Sequence, residues 1–260
     1  MNSYQNTKKS PALIKYLITF LFFTFGSISI LQAEAKIMPL GDSITWDWYY
    51  NDSRSDAYRH GYRNDLWYKL QNADYSVDFV GSGNNGGAVT PSYDGNNEGH
   101  TGWTSHQIAN NVYGYLVANT PDIILLHIGT NDSAYYSISY SIEGVESILN
   151  EIDRFEKDKS VKIKVILAKI INLQKDPSWV SPFNSQLDTM AQNRISNGDN
   201  IVLVDMQSAV GWNLIDGIHP NTTGYAKMAT AWFNALKPAL DDLNNNYAWL
   251  IPIQHLILNP

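Results

Sequence analysis

The sequence predicts an α/β fold: a three-layer, flavodoxin-like α/β/α sandwich around a five-stranded parallel sheet, strand order 2-1-3-4-5. Three observations carry that prediction. Short apolar runs alternate five times with longer segments of helical periodicity between Lys36 and Leu243. The run Asp122–Ile128 is apolar almost throughout, as in a strand covered on both faces. No internal repeat or linker interrupts the alternation, so it belongs to one domain. Repeated β-α units imply right-handed crossovers with helices on both faces of a parallel sheet.

Each element follows from a local pattern. Ile37–Leu40 is the first strand. Asp56–Asn72 follows as a helix, with Tyr58, Tyr62, Leu66 and Leu70 at helical spacing. Val77–Val80 is a short second strand, and Gly81 to Thr104 reads as one long Gly/Asn-rich loop. Ser105–Ala118 is a helix, and the run from Asp122 is the third strand. Ile138–Phe155 places Ile142, Val145, Ile148, Leu149 and Ile152 on one stripe, as an amphipathic helix does. Ile163–Ile170 is the fourth strand, and Pro182–Ile195 the helix after it. Ile201–Val204 is the fifth strand and Thr222–Leu243 the final helix. Tyr247–Pro260 falls outside the pattern; its apolar residues suit either packing along the domain or pairing with another chain.

The first 35 residues are expected to be an export signal. Lys8, Lys9 and Lys15 precede an uncharged, mostly apolar run from Tyr16 to Leu31. Ala33-Glu34-Ala35 is a small-x-small site, with cleavage after Ala33 or Ala35. An uncleaved anchor is the alternative, but the run is short for a span, which needs about 20 apolar residues. Removal leaves a domain over 36–260 in a secreted product without a membrane partner. The formal net charge of −7 argues against nucleic acid, which requires clustered Lys and Arg. The chain has no cysteine, which excludes disulfides, Cys-based zinc sites and thiol nucleophiles.

In sheets of this kind ligands sit beyond the C-terminal ends of the strands. Three polar stretches lie after strands: Gly41-Asp42-Ser43 after the first, Gly129-Thr130-Asn131-Asp132 after the third, and Asp216-Gly217-Ile218-His219-Pro220 in the loop after the fifth. A fourth, Glu98 to Thr104 ("EGHTGWT"), lies in the long loop. Taken singly, each has an ordinary reading as a turn, a helix cap or mobile surface. Together, in order and at one end of one sheet, they fit acyl-transfer chemistry. A serine hydroxyl becomes a useful nucleophile only when a base takes its proton. His219 is the candidate base, since imidazole shuttles protons near neutral pH. Asp216, three residues earlier, can hold the imidazole in the required tautomer. An oxyanion formed on attack needs aimed donors. The candidates are the backbone N–H groups of Ser43 and Gly102 and the side-chain amide of Asn131.

These stretches resemble the blocks of the Ser-Gly-Asn-His (SGNH, or GDSL-type) hydrolase superfamily. More narrowly, "IMPLGDSITW", "GYRNDLW", "VDFVGS", "EGHTGWT", "PDIILLHIGTND" and "DGIHPNTTGYAKMA" are similar to carbohydrate esterase family three. The resemblance implies Ser43 as nucleophile, Gly102 and Asn131 in the oxyanion hole, and His219 as base oriented by Asp216. It implies removal of acetyl groups from polysaccharide such as xylan, with no metal and no cofactor. The sequence departs from the family pattern after Thr45, where Trp46-Asp47-Trp48-Tyr49-Tyr50 and a polar run to Asp56 intervene. That departure bears on the mouth of the site.

Trp46, Trp48, Tyr49, Tyr50 and Trp103 cluster near the catalytic segments, either stacking on sugar rings or packing as core and rim. Trp46, His100 and Trp103 are the substrate-contact candidates. Arg63 reads as a helix anchor, Asp42 as a structural hydrogen-bond acceptor, and His127 as a satisfied core histidine. The expectation is a secreted serine esterase acting on acetylated polysaccharide or oligosaccharide. The alternatives are a lipase-like or other acyl-glycan esterase of the same superfamily, and a non-catalytic sugar-binding module.

Overall fold

The computed structural model describes residues 34–248. Its middle layer is a sheet of seven strands: β1 (Ala35–Gly41), β2 (Val77–Phe79), β3 (Gly83–Asn84), β4 (Asn96–Gly99), β5 (Ile123–His127), β6 (Lys164–Lys169) and β7 (Ile201–Asp205). The five strands read from the sequence take the expected order, β2-β1-β5-β6-β7, with every pair parallel. The count is corrected to seven, because β3 and β4 arise inside what reads as a loop.

β2 and β4 share one flank of β1. β2 pairs along Ala35–Ile37, and β4 pairs in parallel with Leu40 and Gly41. β3 then runs antiparallel on the outer side of β4. β4 has no apolar alternation, and its buried residues are polar. Asn97 donates to Asn85 Oδ1 (2.7 Å) and to the Gly95 carbonyl (3.0 Å). Glu98 accepts from the Ser82 N–H (2.7 Å) and hydroxyl (2.6 Å). Side-chain hydrogen bonds thus satisfy groups that would otherwise be costly to bury.

The helices are α1 (Ser43–Trp46), α2 (Gly61–Asn72), α3 (Ser105–Asn119), α4 (Ile138–Lys159), α5 (Pro177–Ser196), α6 (Met206–Val210) and α7 (Thr222–Ala248). α3, α4 and α5 cover one face over Met38, Leu40, Ile124, Leu126, Val165 and Leu167. α2 and α7 cover the other over Ile37, Ile123, Leu125, Ile166 and Val204. The strand residues alternate between the two cores, as the two-residue period requires. Each fully buried Leu or Ile contributes about 1.5–3 kcal/mol.

Several boundaries differ from expectation. Ala35, placed in the leader from the sequence, opens β1: it pairs with Val77, and its N–H donates to the Ser76 carbonyl at 3.0 Å. The rest of the leader, 1–33, lies outside the described residues. The helix expected over Asp56–Asn72 is split into a 3-10 turn, Asp56–Tyr58, and α2. Gly61 makes the break at φ +52°, where a Cβ would lie 3.2 Å from Asp47 and 3.3 Å from the Tyr225 ring. α5 starts at Pro177, because proline is well placed in a first helical turn. α7 runs beyond Leu243, so Tyr247 and Ala248 are helical; 249–260 lie outside the described residues. Among the described residues no helix is long and apolar enough to cross a membrane.

The register positions the functional loops. Gly41 pairs with Gly99 on one side and with His127 on the other. The loops leaving β1, β4 and β5 therefore emerge side by side.

Candidate active site

β1 ends at Gly41 and the chain turns directly into α1. Asp42 caps this helix: its Oδ1 accepts from the Ile44 N–H at 2.9 Å. Ser43 thereby becomes the first helical residue, 4% exposed. Asp42 itself is fully buried, and burial pushes its carboxyl up to about 7. Its Oδ2 has no hydrogen-bond partner among the described residues.

The loop after α6 supplies the second group. The Ile215 N–H donates to the His219 carbonyl at 2.9 Å, and Leu214 bridges to Pro220, closing a tight turn. Inside it Asp216 Oδ1 accepts from the backbone N–H of Ile218 (3.0 Å) and of His219 (2.8 Å). Asp216 Oδ2 lies 2.8 Å from His219 Nδ1, and His219 Nε2 lies 2.9 Å from Ser43 Oγ. Burial works to raise the Asp216 pKa, but the bonds from the His219 N–H and imidazole and the Ile218 N–H prevail, holding it below the ordinary value. An ionised Asp216 accepts a hydrogen bond from Nδ1–H, which favours the tautomer that leaves Nε2 unprotonated toward the serine hydroxyl. Three residues 176 positions apart at the extremes thus lie in one hydrogen-bonded line, the arrangement that a serine nucleophile, a base and an orienting acid require.

The third group surrounds the serine. The His100 N–H donates to the Gly41 carbonyl at 2.9 Å, and the Trp103 N–H to the His100 carbonyl at 3.1 Å. This turn holds Gly102 at φ +80°, with open space where a Cβ would be. Among the described residues the N–H groups of Ser43 and Gly102 donate to no protein acceptor. Asn131 Nδ2 donates to the Trp103 carbonyl at 2.9 Å. That bond uses one of its two hydrogens and leaves the other for a ligand. The neighbouring Asp132 is fully buried and accepts from the Ser105 N–H at 2.9 Å and from its hydroxyl. The Ser105–Asp132 pair fastens the Asn131 turn to the start of α3. Sequence reasoning missed it, although an acid directly after Asn131 and a serine opening a helix were both visible.

The remaining candidates occupy mixed positions. His100 is sandwiched between Trp103 (ring centroids 4.2 Å) and Tyr115 (5.0 Å), and its Nε2 meets the buried Glu98 at 2.7 Å. The stack braces the turn that carries Gly102. Trp46 is half-buried: its ring lies against Gly83 and its indole N–H reaches Asp56 at 3.4 Å. Trp103 is half-buried beside the site. Arg63 is wholly buried and donates to the carbonyls of Thr45 (3.0 Å) and Gly95 (2.8 Å), which makes it an anchor. His127 is a core residue but not a satisfied one, a correction to the sequence reading. Neither ring nitrogen has a partner among the described residues, and burial lowers its pKa to about 4, keeping it neutral. Among the described residues no cluster of His, Asp and Glu is arranged to hold a metal ion.

The family model described as GDSL-like lipase/acylhydrolase matches residues 37–232. A multidomain esterase of Ruminococcus flavefaciens is 30% identical over 81% of the chain, and the match spans 29% of that longer protein. A putative endoglucanase X of Acetivibrio thermocellus is 26% identical over 49% of the chain and 55% of its own length. A Clostridium thermocellum family 3 carbohydrate esterase superposes with a TM-score of 0.67 at 27% identity, covering 82% of this chain and 100% of that one. A family 3 carbohydrate esterase from Talaromyces cellulolyticus gives 0.68 at 28% identity, covering 80% and 99%. The chain belongs to the GDSL-like lipase/acylhydrolase family, with the SGNH hydrolase fold.

Proposed function

We propose that this protein is an exported serine esterase that removes acetyl groups from polysaccharide. The observation that carries the reading is the line Ser43 Oγ, His219 Nε2, His219 Nδ1, Asp216 Oδ2, with contacts of 2.9 and 2.8 Å. His219 takes the Ser43 proton as Oγ attacks the acetyl carbonyl. The oxyanion is held by the N–H groups of Ser43 and Gly102 and by Asn131 Nδ2. His219 returns the proton to the sugar oxygen, which leaves as an alcohol. Water activated by His219 then hydrolyses the acetyl-serine, releasing acetate and restoring the hydroxyl. The substrate class is supported by the family 3 carbohydrate esterases among the structural neighbours and by an acetyl esterase solved with an acetate ion, 28% identical over 80% of this chain. Export is supported by the basic, apolar and small-residue order of the leader. Cleavage after Ala33 leaves the first pair of β1 intact.

The test is acetate release from acetylated xylan by the wild type beside Ser43→Ala. The wild type is expected to release acetate, and the variant to lose activity to near the limit of detection. Wild-type activity in the variant would refute the nucleophile. Preference for octanoyl over acetyl esters would refute the deacetylase reading while sparing the mechanism.

A further inference from the structure

The loop after β5 runs into aromatic residues that the proposed reaction does not use. Its 3-10 turn, Asn131–Ala134, is followed at once by Tyr135 and Tyr136, and α4 adds Tyr140 in its first turn. Tyr135 is 72% exposed and Tyr140 45%. The half-buried Tyr136 joins them, its ring centroid 6.2 Å from that of Tyr135 and 5.0 Å from that of Tyr140. Aromatic residues exposed singly are ordinary, whereas a contiguous exposed patch marks a contact surface.

The rings are fixed by the backbone and by one another. The N–H groups of Tyr135 and Tyr136 donate to the Asp132 carbonyl at 3.0 and 2.9 Å. His106, in the first turn of α3, stacks on Tyr140 (ring centroids 4.0 Å) and meets Tyr136 edge-on (5.8 Å). Its Nε2–H donates to the Tyr140 carbonyl at 2.8 Å. Gly144 permits this approach of α3 to α4: a Cβ there would collide with Ser105 and lie 2.9 Å from His106 Cδ2. Rings already held in place lose little freedom when a ligand lies on them.

Position ties the patch to the reaction centre. The first turns of α3 and α4 and the turn after β5 all stand at the C-terminal end of the sheet, as Ser43 does. Asn131 opens the turn that Tyr135 follows, and at about 2 Å of rise per residue their backbones lie within about 8 Å. A polymer is longer than the catalytic line, so units beside the reacting one come within reach of these rings.

The surrounding chemistry selects the ligand. The chain has no Lys or Arg between Lys69 and Arg154, a stretch that takes in β4, α3, β5 and the start of α4. A phosphate headgroup or a nucleic acid finds no cation on those elements. From Ile123 to Ile142 the one acid is Asp132, which is buried and bonded to Ser105. Ser133, Ser137 and Ser139 are interspersed with the tyrosines and bring hydroxyls. A neutral pyranose has the matching character. The C–H groups of its faces pack on aromatic rings, and the hydroxyls at its edge bond to water, serine or the wet end of a tyrosine.

We propose that Tyr135, Tyr136 and Tyr140 form a platform on which a neutral polysaccharide chain lies while one of its acetyl esters is at Ser43. The inference rests on the deacetylase reading and deepens it, because it says where the chain is held beyond the reacting unit.

The test uses Ser43→Ala protein titrated calorimetrically with xylohexaose. Tyr135→Ala, Tyr140→Ala and Tyr135→Phe are added singly. Each alanine is expected to weaken Kd about fivefold to tenfold, and the phenylalanine, which keeps the ring, less than twofold. In proteins that keep Ser43, kcat/KM for acetylated xylan relative to 4-nitrophenyl acetate falls by the same factors, through KM. Tyr135 is exposed, so its removal leaves no cavity; should Tyr140→Ala unfold for want of the His106 stack, Tyr135→Ala decides alone. Affinities within twofold across the alanine variants, no binding at millimolar xylohexaose, or a phenylalanine variant as weak as the alanine one would overturn the platform. So would a wild type that sediments as a dimer and becomes a monomer with Tyr135→Ala, since the patch would then belong to a second copy. A wild type that releases no acetate from acetylated xylan defeats the deacetylase reading, and this inference with it. Release with unaltered tyrosine variants defeats this inference alone.

Discussion

Asp42→Asn is the substitution whose effect can be worked most fully from the structure. Asp42 is fully buried, its Oδ1 is bonded to the Ile44 N–H, and its Oδ2 has no partner. Burial raises its pKa from 3.8 to about 7. Between those values the folded state binds a proton that the unfolded state has released. The stability contribution is therefore intact below pH ~4 and is lost as pH rises through about 7. At ~1.36 kcal/mol per pH unit over that window, the loss is about 4 kcal/mol. Asparagine keeps the capping oxygen, since Asn and Asp cap helices equally well, and it carries no charge at any pH. Urea unfolding at half-unit steps from pH 4 to 8.5 measures the effect. The wild type is expected to lose about 4 kcal/mol relative to Asp42→Asn on going from pH 4 to pH 8. The difference in slope isolates the single group, whatever fixed offset the amide introduces. Parallel curves, agreeing within about 0.5 kcal/mol over the range, would refute the claim that Asp42 is a buried acid protonated in the fold.

Two further outcomes concern the chemistry. Asp216→Asn turns an amide N–H toward His219 Nδ1, forcing the proton onto Nε2, where it blocks the serine; kcat is expected to fall about 10⁴-fold, or about 5.5 kcal/mol, with the circular dichroism spectrum unchanged. A drop smaller than tenfold would remove Asp216 from its orienting role. On the proposed mechanism Asn131→Ala removes a neutral donor to the oxyanion, so kcat is expected to fall about 10²–10³-fold with little change in KM. A rise in KM at constant kcat would show instead that Asn131 binds substrate and transition state alike.

Most of the scaffold was legible because its strands and long helices are written in apolar residues. Ile142, Val145, Ile148 and Leu149 form one helical stripe and are buried on one face of α4. β4 was illegible for the opposite reason. Its sequence, Asn-Asn-Glu-Gly, carries no apolar period, and its burial depends on partners distant in sequence, Ser82 and Asn85. The break before α2 was hidden similarly. Gly61 reads as an ordinary helical residue until Asp47 and Tyr225 are seen packed against it. The hydrogen-bonded line of Ser43, His219 and Asp216 was legible because the chemistry proposed for it limits the choice: a serine, a histidine and an acid, each just past a strand or in the loop beyond the last one.

The polar strand and the reacting groups belong to one design problem. Gly41, Gly99 and His127 lie abreast, so pairing at the ends of β1, β4 and β5 sets how far the Ser43, Gly102 and Asn131 loops stand from one another. A slip of one residue in β4 would carry Gly102 about 3.3 Å along the strand and turn its neighbours to the wrong face. A misplacement of about 1 Å can already cost about 10² in rate. An apolar β4 would be held by burial, which is tolerant of sliding because any apolar contact serves. Directional bonds are not: Glu98 meets Ser82 twice, and Asn97 meets Asn85, in one register only. His100, stacked between Trp103 and Tyr115 and bonded to Glu98, extends that constraint to the Gly102 turn. The "EGHTGW" stretch is therefore spelled in polar and aromatic residues because its task is to fix a position.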